Sequence, residues 1–185
     1  MKSTLLLAML CLSGFCYGQV NQKKGYTNTS EMGVLLGQVG PNNSSPVSKT
    51  SFTASSFNGY RLMHWLAAGI TVGLDSYKGN LMVPISLGLR GDILKNKTVT
   101  PFYALDIGKG MTWLARDPSL DFKRGGLHLN PAIGLRFATN SGTGITWSVG
   151  YKRQILESGR YFGEDQGTYY DYAYNRISIK MGMSF

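Results

Sequence analysis

Two histidines, His64 and His128, have the strongest chemical claim on a proton in this 185-residue chain. Neither stands in a catalytic arrangement. A histidine base needs a nucleophile within hydrogen-bond reach and a further group to orient it. On an extended segment His128 shares its face with Asn130, an amide, while His64 lies beside Trp65 with no serine close by. Both cysteines, Cys11 and Cys16, fall in the first sixteen residues, so disulfides, thiolate metal sites and cysteine nucleophiles are excluded from the remainder. No metal-ligand spacing, phosphate loop or nucleic-acid motif is present. The chain is therefore expected to have no catalytic residue, no metal and no cofactor.

The other chemically active residues are ionised groups, and their spacing is informative. Arg90 and Asp92, Asp106, Arg136, Lys152, and Arg176 with Lys180 each occupy one parity of a segment whose other parity is apolar. Period two is the signature of a β-strand. The charged parity also holds Ala67, Gly69, Thr71, Gly73 and Asp75, then Ser86 and Gly88, then His128, Asn130 and Gly134. A solvent face has no reason to favour glycine, which weakens a strand. A narrow lumen does, because long side chains need room to lie across it. The opposite parity, exemplified by Ile70, Leu87, Ile133 and Val149, carries no charge through its middle, and hydrocarbon solvates such a face better than water. Unpaired charges in a low-dielectric lumen are costly, so salt-bridged clusters are expected, with Glu31 as one further carboxylate. Asp106, Lys152 and Arg176 are expected in the outer half, and Arg90, Asp92, Arg136 and Lys180 in the periplasmic half.

The elements that must hold these groups follow from turn signals. Strands are expected at about 31–39, 49–57, 64–75, 81–92, 99–109, 126–139, 144–156 and 171–185. Asn58-Gly59, Gly79-Asn80, Lys95 to Lys97 and Asn140 to Gly142 mark turns, and Gly110–Gly125 and Glu157–Tyr170 are long loops. Eight is the smallest membrane-barrel number. Pro84, Pro101 and Pro131 fall inside strands, where each removes a ladder donor. The first two strands alternate poorly. The last is the clearest: Ile177, Ile179, Met181, Met183 and Phe185 form an unbroken apolar row to the final residue.

The ends and composition agree. Lys2 followed by the apolar stretch Leu5 to Phe15 reads as a signal peptide over 1–18, too short for a membrane helix. Phe15 before Cys16 favours ordinary cleavage over acylation of the cysteine. Residues 19–30 are polar and are expected as a flexible periplasmic lead-in, with the barrel over 31–185. The net charge of +9 in an exported chain points to anionic lipid headgroups and lipopolysaccharide phosphates rather than nucleic acid. No segment after residue 18 reaches the roughly 20 apolar residues of a membrane helix.

The segment with Gly69-Ile-Thr-Val-Gly73, the run Asn80 to Asp92, the strand Leu129 to Arg136 and the terminal Phe185 together resemble the small eight-stranded outer-membrane barrels related to the OmpA transmembrane domain, also described as porin-like. The resemblance implies an all-β, eight-stranded antiparallel up-and-down transmembrane β-barrel in the outer membrane of a Gram-negative cell. It also implies that the barrel-assembly machinery reads the terminal strand. A filled interior would not conduct. Function would then sit in the outer loops, where Trp113, Arg116, Lys123, Arg124, Arg160, Tyr161 and Phe162 are the candidates for partner or lipopolysaccharide contact. A membrane-embedded lipid A-modifying enzyme is the alternative, but such deacylases pair a histidine with a serine two residues on, and here that place is Asn130. A soluble secreted lipid-binding barrel would need the apolar row inside.

Overall fold

The computed structural model describes residues 24–39, 47–77, 80–94, 98–112, 122–139, 143–161 and 167–185. Eight strands account for nearly all of them: β1 (Gly25–Val39), β2 (Val47–Met63), β3 (Leu66–Tyr77), β4 (Asn80–Asp92), β5 (Val99–Met111), β6 (Phe122–Ala138), β7 (Gly144–Tyr161) and β8 (Gly167–Ser184). Each pairs antiparallel with its chain neighbour, and β8 closes on β1. The expected signal segment, 1–18, lies outside the described residues.

Register sets the shape. From Gly25 the ladders lead through Arg61, Ala67, Arg90, Ala104, Ala132, Gly150 and Ser178 and return to β1 at Leu35. The circuit closes ten residues from its start, a shear that tilts the strands by about 40°. Both described chain ends, and the short connections after β2, β4 and β6, lie at one end of the barrel, here the lower end.

Parity divides the side chains as the spacing predicts. Ile70, Leu87 and Val149 are 53%, 73% and 53% exposed on the outer surface, while Asp75, Asp106, Arg176 and Lys180 are buried inside. Inward glycines make room for the two rings in the lumen. A Cβ on Gly88 would come within 2.8 Å of the Phe57 ring, and one on Gly134 within 2.7 Å of Phe102.

Several boundaries differ from expectation. β1 begins at Gly25, so residues 25–30 are ladder rather than lead-in, paired from Gly25↔Arg61 to Ser30↔Ser56. Their polar side chains masked a strand made by backbone bonds. Asn58 and Gly59 are not a turn. They pair with Asn28 and Thr27 on one side and with Ile70 and Gly69 on the other. The chain reverses at His64-Trp65 instead, after a register shift between Arg61 and Met63. β6, β7 and β8 run four to five residues beyond the expected strands at the upper end, where β7 and β8 stay paired to Tyr161↔Gly167. Both expected long loops shrink accordingly. Pro84 and Pro131 are absorbed by gaps in the ladders rather than by broken strands, while Pro101 pairs with Leu135 in an uninterrupted ladder. The β3–β4 ladder skips from Val72↔Ile85 to Asp75↔Met82 around Pro84, and the β6–β7 ladder skips from Leu129↔Arg153 to Ala132↔Gly150 around Pro131. Register is unchanged across each gap.

Candidate functional site

The inner face is a column of ionised clusters, each joining two or more strands. At the lower mouth Arg61 (β2) and Arg136 (β6) both bind Asp92 (β4), Arg61 Nη1 at 2.7 Å from Oδ2. Above it Arg90 (β4) meets Asp106 (β5), Nη1 to Oδ1 at 2.8 Å. Thr71 donates to Asp106 at 2.6 Å and Asn130 at 3.1 Å. The Arg90 guanidinium also lies 4.7 Å over the Phe57 ring, a cation–π contact in a desolvated setting. At mid-height Lys180 (β8) pairs with Glu31 (β1) at 2.9 Å, and Ser148 (β7) donates to the same carboxylate at 2.8 Å.

The upper half holds Lys152 (β7) on Asp75 (β3) at 2.6 Å, with Thr53 (β2) donating to the same carboxylate oxygen at 2.7 Å. Arg176 donates to Ser51 Oγ at 2.7 Å. His128 Nδ1 lies 3.1 Å from Gln154 Oε1, and the Gln154 amide donates to the Ile155 carbonyl. His128 is thus buried in the lumen with Nδ1 against an amide oxygen. Above this column sits an apolar cluster, Leu35, Met82 and Leu156 with Tyr174 packed against it.

These clusters rearrange the expected halves. Arg90 and Asp106, expected at different levels, form one pair, and Lys180 joins Glu31 near the middle. Tilt is the reason: the ladders climb ten residues in one circuit, so strand direction alone does not give a residue's level. Asp75, Thr53 and Gln154 were not singled out from the sequence, although Asp75 has the inward parity. Pairing across a lumen leaves no trace in local spacing.

What space remains is small. Among the described residues Ser86 Oγ and Asn130 Oδ1 have no hydrogen-bond partner, and both residues line a cavity with room for about one water. A second cavity of similar scale lies beside Arg61, Asp92 and Arg136. Among the described residues no group of three or more metal-binding side chains forms.

The outer face is apolar, with aromatic rings Tyr26, Tyr60, Trp65, Phe137 and Phe185 around the lower end. Ile177, Ile179, Met181, Met183 and Phe185 are all outward and exposed on or just beyond β8. Of the loop candidates, Trp113, Arg116 and Phe162 lie outside the described residues. Lys123 and Arg124 are on β6, and Arg160 and Tyr161 on β7, so these four belong to strand extensions rather than loops.

No protein-family profile matches the sequence, and no curated protein matches it either. Solved structures do share its shape. The outer membrane protein AlkL, determined by solid-state NMR in DMPC bilayers, aligns with a TM-score of 0.59 at 11% identity, over 93% of this chain and 94% of that one. Neisserial surface protein A (NspA) aligns with a TM-score of 0.56 at 13% identity, over 86% of this chain and 94% of that one. At such identities the likeness is one of architecture, and with the closed ladder above it leads to one statement: this chain has the fold of the eight-stranded outer-membrane β-barrels.

Proposed function

We propose that the chain spans the outer membrane of a Gram-negative bacterium as a closed, non-conducting barrel with a structural or surface-interaction role. One observation carries this reading. Among the described residues large apolar side chains ring the outside while four carboxylates and six cationic groups cross the inside. Water would not solvate that outside, and a lipid-binding barrel would not be filled with that inside. The soluble alternative is set aside on this orientation.

Two further features support the membrane reading. Aromatic rings gather at the lower rim, as at a membrane–water boundary. Lys109 and Arg153 are exposed on the outer face towards the upper end, at the level suited to lipopolysaccharide phosphates. The filled column of ion pairs, capped by Leu35, Met82 and Leu156, supports a lumen closed to solutes. The bonding of His128 to Gln154 supports a non-catalytic role. The outward row from Ile177 to Phe185 suits recognition by the barrel-assembly machinery. The β6–β8 extensions are where a surface partner would meet the protein.

Cell fractionation followed by an unheated gel tests the reading. The chain should remain with the outer membrane and migrate differently before and after boiling. In planar bilayers it should give no steady single-channel current. A chain recovered in the soluble fraction, or a stable open channel, would overturn the corresponding half of the proposal.

A further inference from the structure

The apolar outer band is interrupted at one place. On β1 and β2 the outward residues Asn28, Ser30, Ser56 and Asn58 form a polar cluster, joined from below by the Tyr26 hydroxyl. Because the ladders climb ten residues in eight strands, levels around the barrel can be matched. The level of this cluster is occupied on the other six strands by Ile70, Leu89, Leu105, Ile133, Trp147 and Met181. The cluster also lies above the ring of Tyr26, Tyr60, Trp65, Phe137 and Phe185. It therefore faces hydrocarbon, not the headgroup zone, wherever the membrane reading of this barrel holds.

The bonding within the cluster leaves a specific remainder. Asn28 Nδ2 donates to Asn58 Oδ1 at 2.8 Å and to Ser56 Oγ at 3.2 Å, which uses both its hydrogens. Tyr26 Oη donates to Asn58 Oδ1 at 2.6 Å, filling that acceptor. Ser30 Oγ donates to Asn28 Oδ1 at 3.1 Å. Asn58 Nδ2 gives one hydrogen to Ser56 Oγ at 3.3 Å and keeps one. One N–H on Asn58 and acceptor lone pairs on Asn28 Oδ1 and Tyr26 Oη are left facing lipid.

We propose that this face is the interface with a second copy of the chain. Two copies in one membrane share their orientation, so the two-fold axis relating them runs along the membrane normal. Such an axis keeps every residue at its own depth, and brings the cluster against itself. An isologous contact requires a self-complementary surface. The remainder is one: the Asn58 N–H of one copy meets an acceptor on Asn28 or Tyr26 of the other, and the reverse bond forms at the same time. The flanking outward residues Met32, Phe52 and Tyr60 are exposed and supply apolar contact around the polar centre. Hydrogen bonds between side chains are a recognised adhesive inside a bilayer.

This inference rests on the membrane reading, and one experiment separates the two. The full chain carrying Met32→Cys, next to the cluster, is compared in native outer membranes with Ile133→Cys, at the same level on the far wall. A short bismaleimide is the cross-linker, and the parent chain is the background, since its own cysteines precede the barrel. Heat-modifiable migration of each variant, read before cross-linking, reports folding and insertion. A cross-linked homodimer at Met32→Cys but not at Ile133→Cys is expected. Adding Asn58→Leu to Met32→Cys should cut the dimer yield by about tenfold while heat-modifiability persists. Equal cross-linking at both positions, none at Met32→Cys, a hetero-adduct in place of the homodimer, or a yield indifferent to Asn58→Leu would overturn the interface. A chain absent from the outer-membrane fraction would overturn the membrane reading and this inference with it.

Discussion

Lys152 and Asp75 meet across the lumen, Nζ to Oδ1 at 2.6 Å, from β7 and β3, two strands that share no ladder. Thr53 Oγ1 donates to the same oxygen of Asp75, so three strands are tied at one point. Such a contact braces the barrel against flattening, which backbone ladders alone resist only through neighbours.

Removing one member of this pair leaves a buried charge without its counter-ion. Asp75→Ala should therefore destabilise the barrel by about 3–5 kcal/mol. Asp75→Leu combined with Lys152→Met should recover most of that loss, because neither charge is then buried. Urea unfolding of the refolded barrel in lipid, followed by the gel shift, measures both.

The outer surface makes the opposite demand. Leu87 is 73% exposed near the middle of the apolar band. Leu87→Arg should destabilise the inserted barrel by about 2–4 kcal/mol. In the adjacent register, inward-facing Ser86→Ala should change stability little, since Ser86 Oγ has no protein partner. Equal losses at both positions would contradict the assignment of the two faces.

Gly88 has Phe57 against it, and a Cβ there would come within 2.8 Å of the ring. Gly88→Val should displace the ring and the Arg90 guanidinium stacked on it, at a cost of about 1–3 kcal/mol. Phe57→Ala removes the ring but leaves Thr71 Oγ1, which a Cβ on Gly88 would meet at 2.6 Å, so it should rescue Gly88→Val in part. The double mutant's unfolding midpoint, compared with those of the single variants, decides whether the two act through one contact.

The terminal row predicts a kinetic defect. Deleting Phe185 removes an outward aromatic whose backbone nitrogen and oxygen pair with Asn28. If the assembly machinery reads this strand, the truncated chain should accumulate in the periplasm at early times in a pulse-chase. Refolding in detergent should change far less. Similar slowing in both settings would assign the effect to the β1–β8 seam instead.

Much of this protein was legible in its spacing. Alternation from Leu66 onwards told which residues face the lumen, because the side-chain period of a strand is two and does not depend on its neighbours. His128, Asn130 and Arg136, or Ile177 to Phe185, needed only their parity. β1 and β2 were harder. Asn28, Ser30, Ser56 and Asn58 put polar groups on the outward parity, and an Asn-Gly pair mimics a hairpin turn. The strand ends at Gly25, Tyr161 and Gly167 were missed for a related reason: polar residues in a ladder are held by backbone bonds that composition does not record.

The chain by itself determined strand number, the two faces and the absence of local catalytic motifs, since each is a property of residues a few positions apart. Tertiary structure decided which charges meet. Arg90 finds Asp106, Lys152 finds Asp75 and Lys180 finds Glu31 because closure with a shear of ten sets the levels of eight tilted strands. The β1–β2 ladder gathers the outward polar residues of those two strands into one patch. Neither outcome is encoded in any single segment, because each depends on which residues of other strands come to lie beside it.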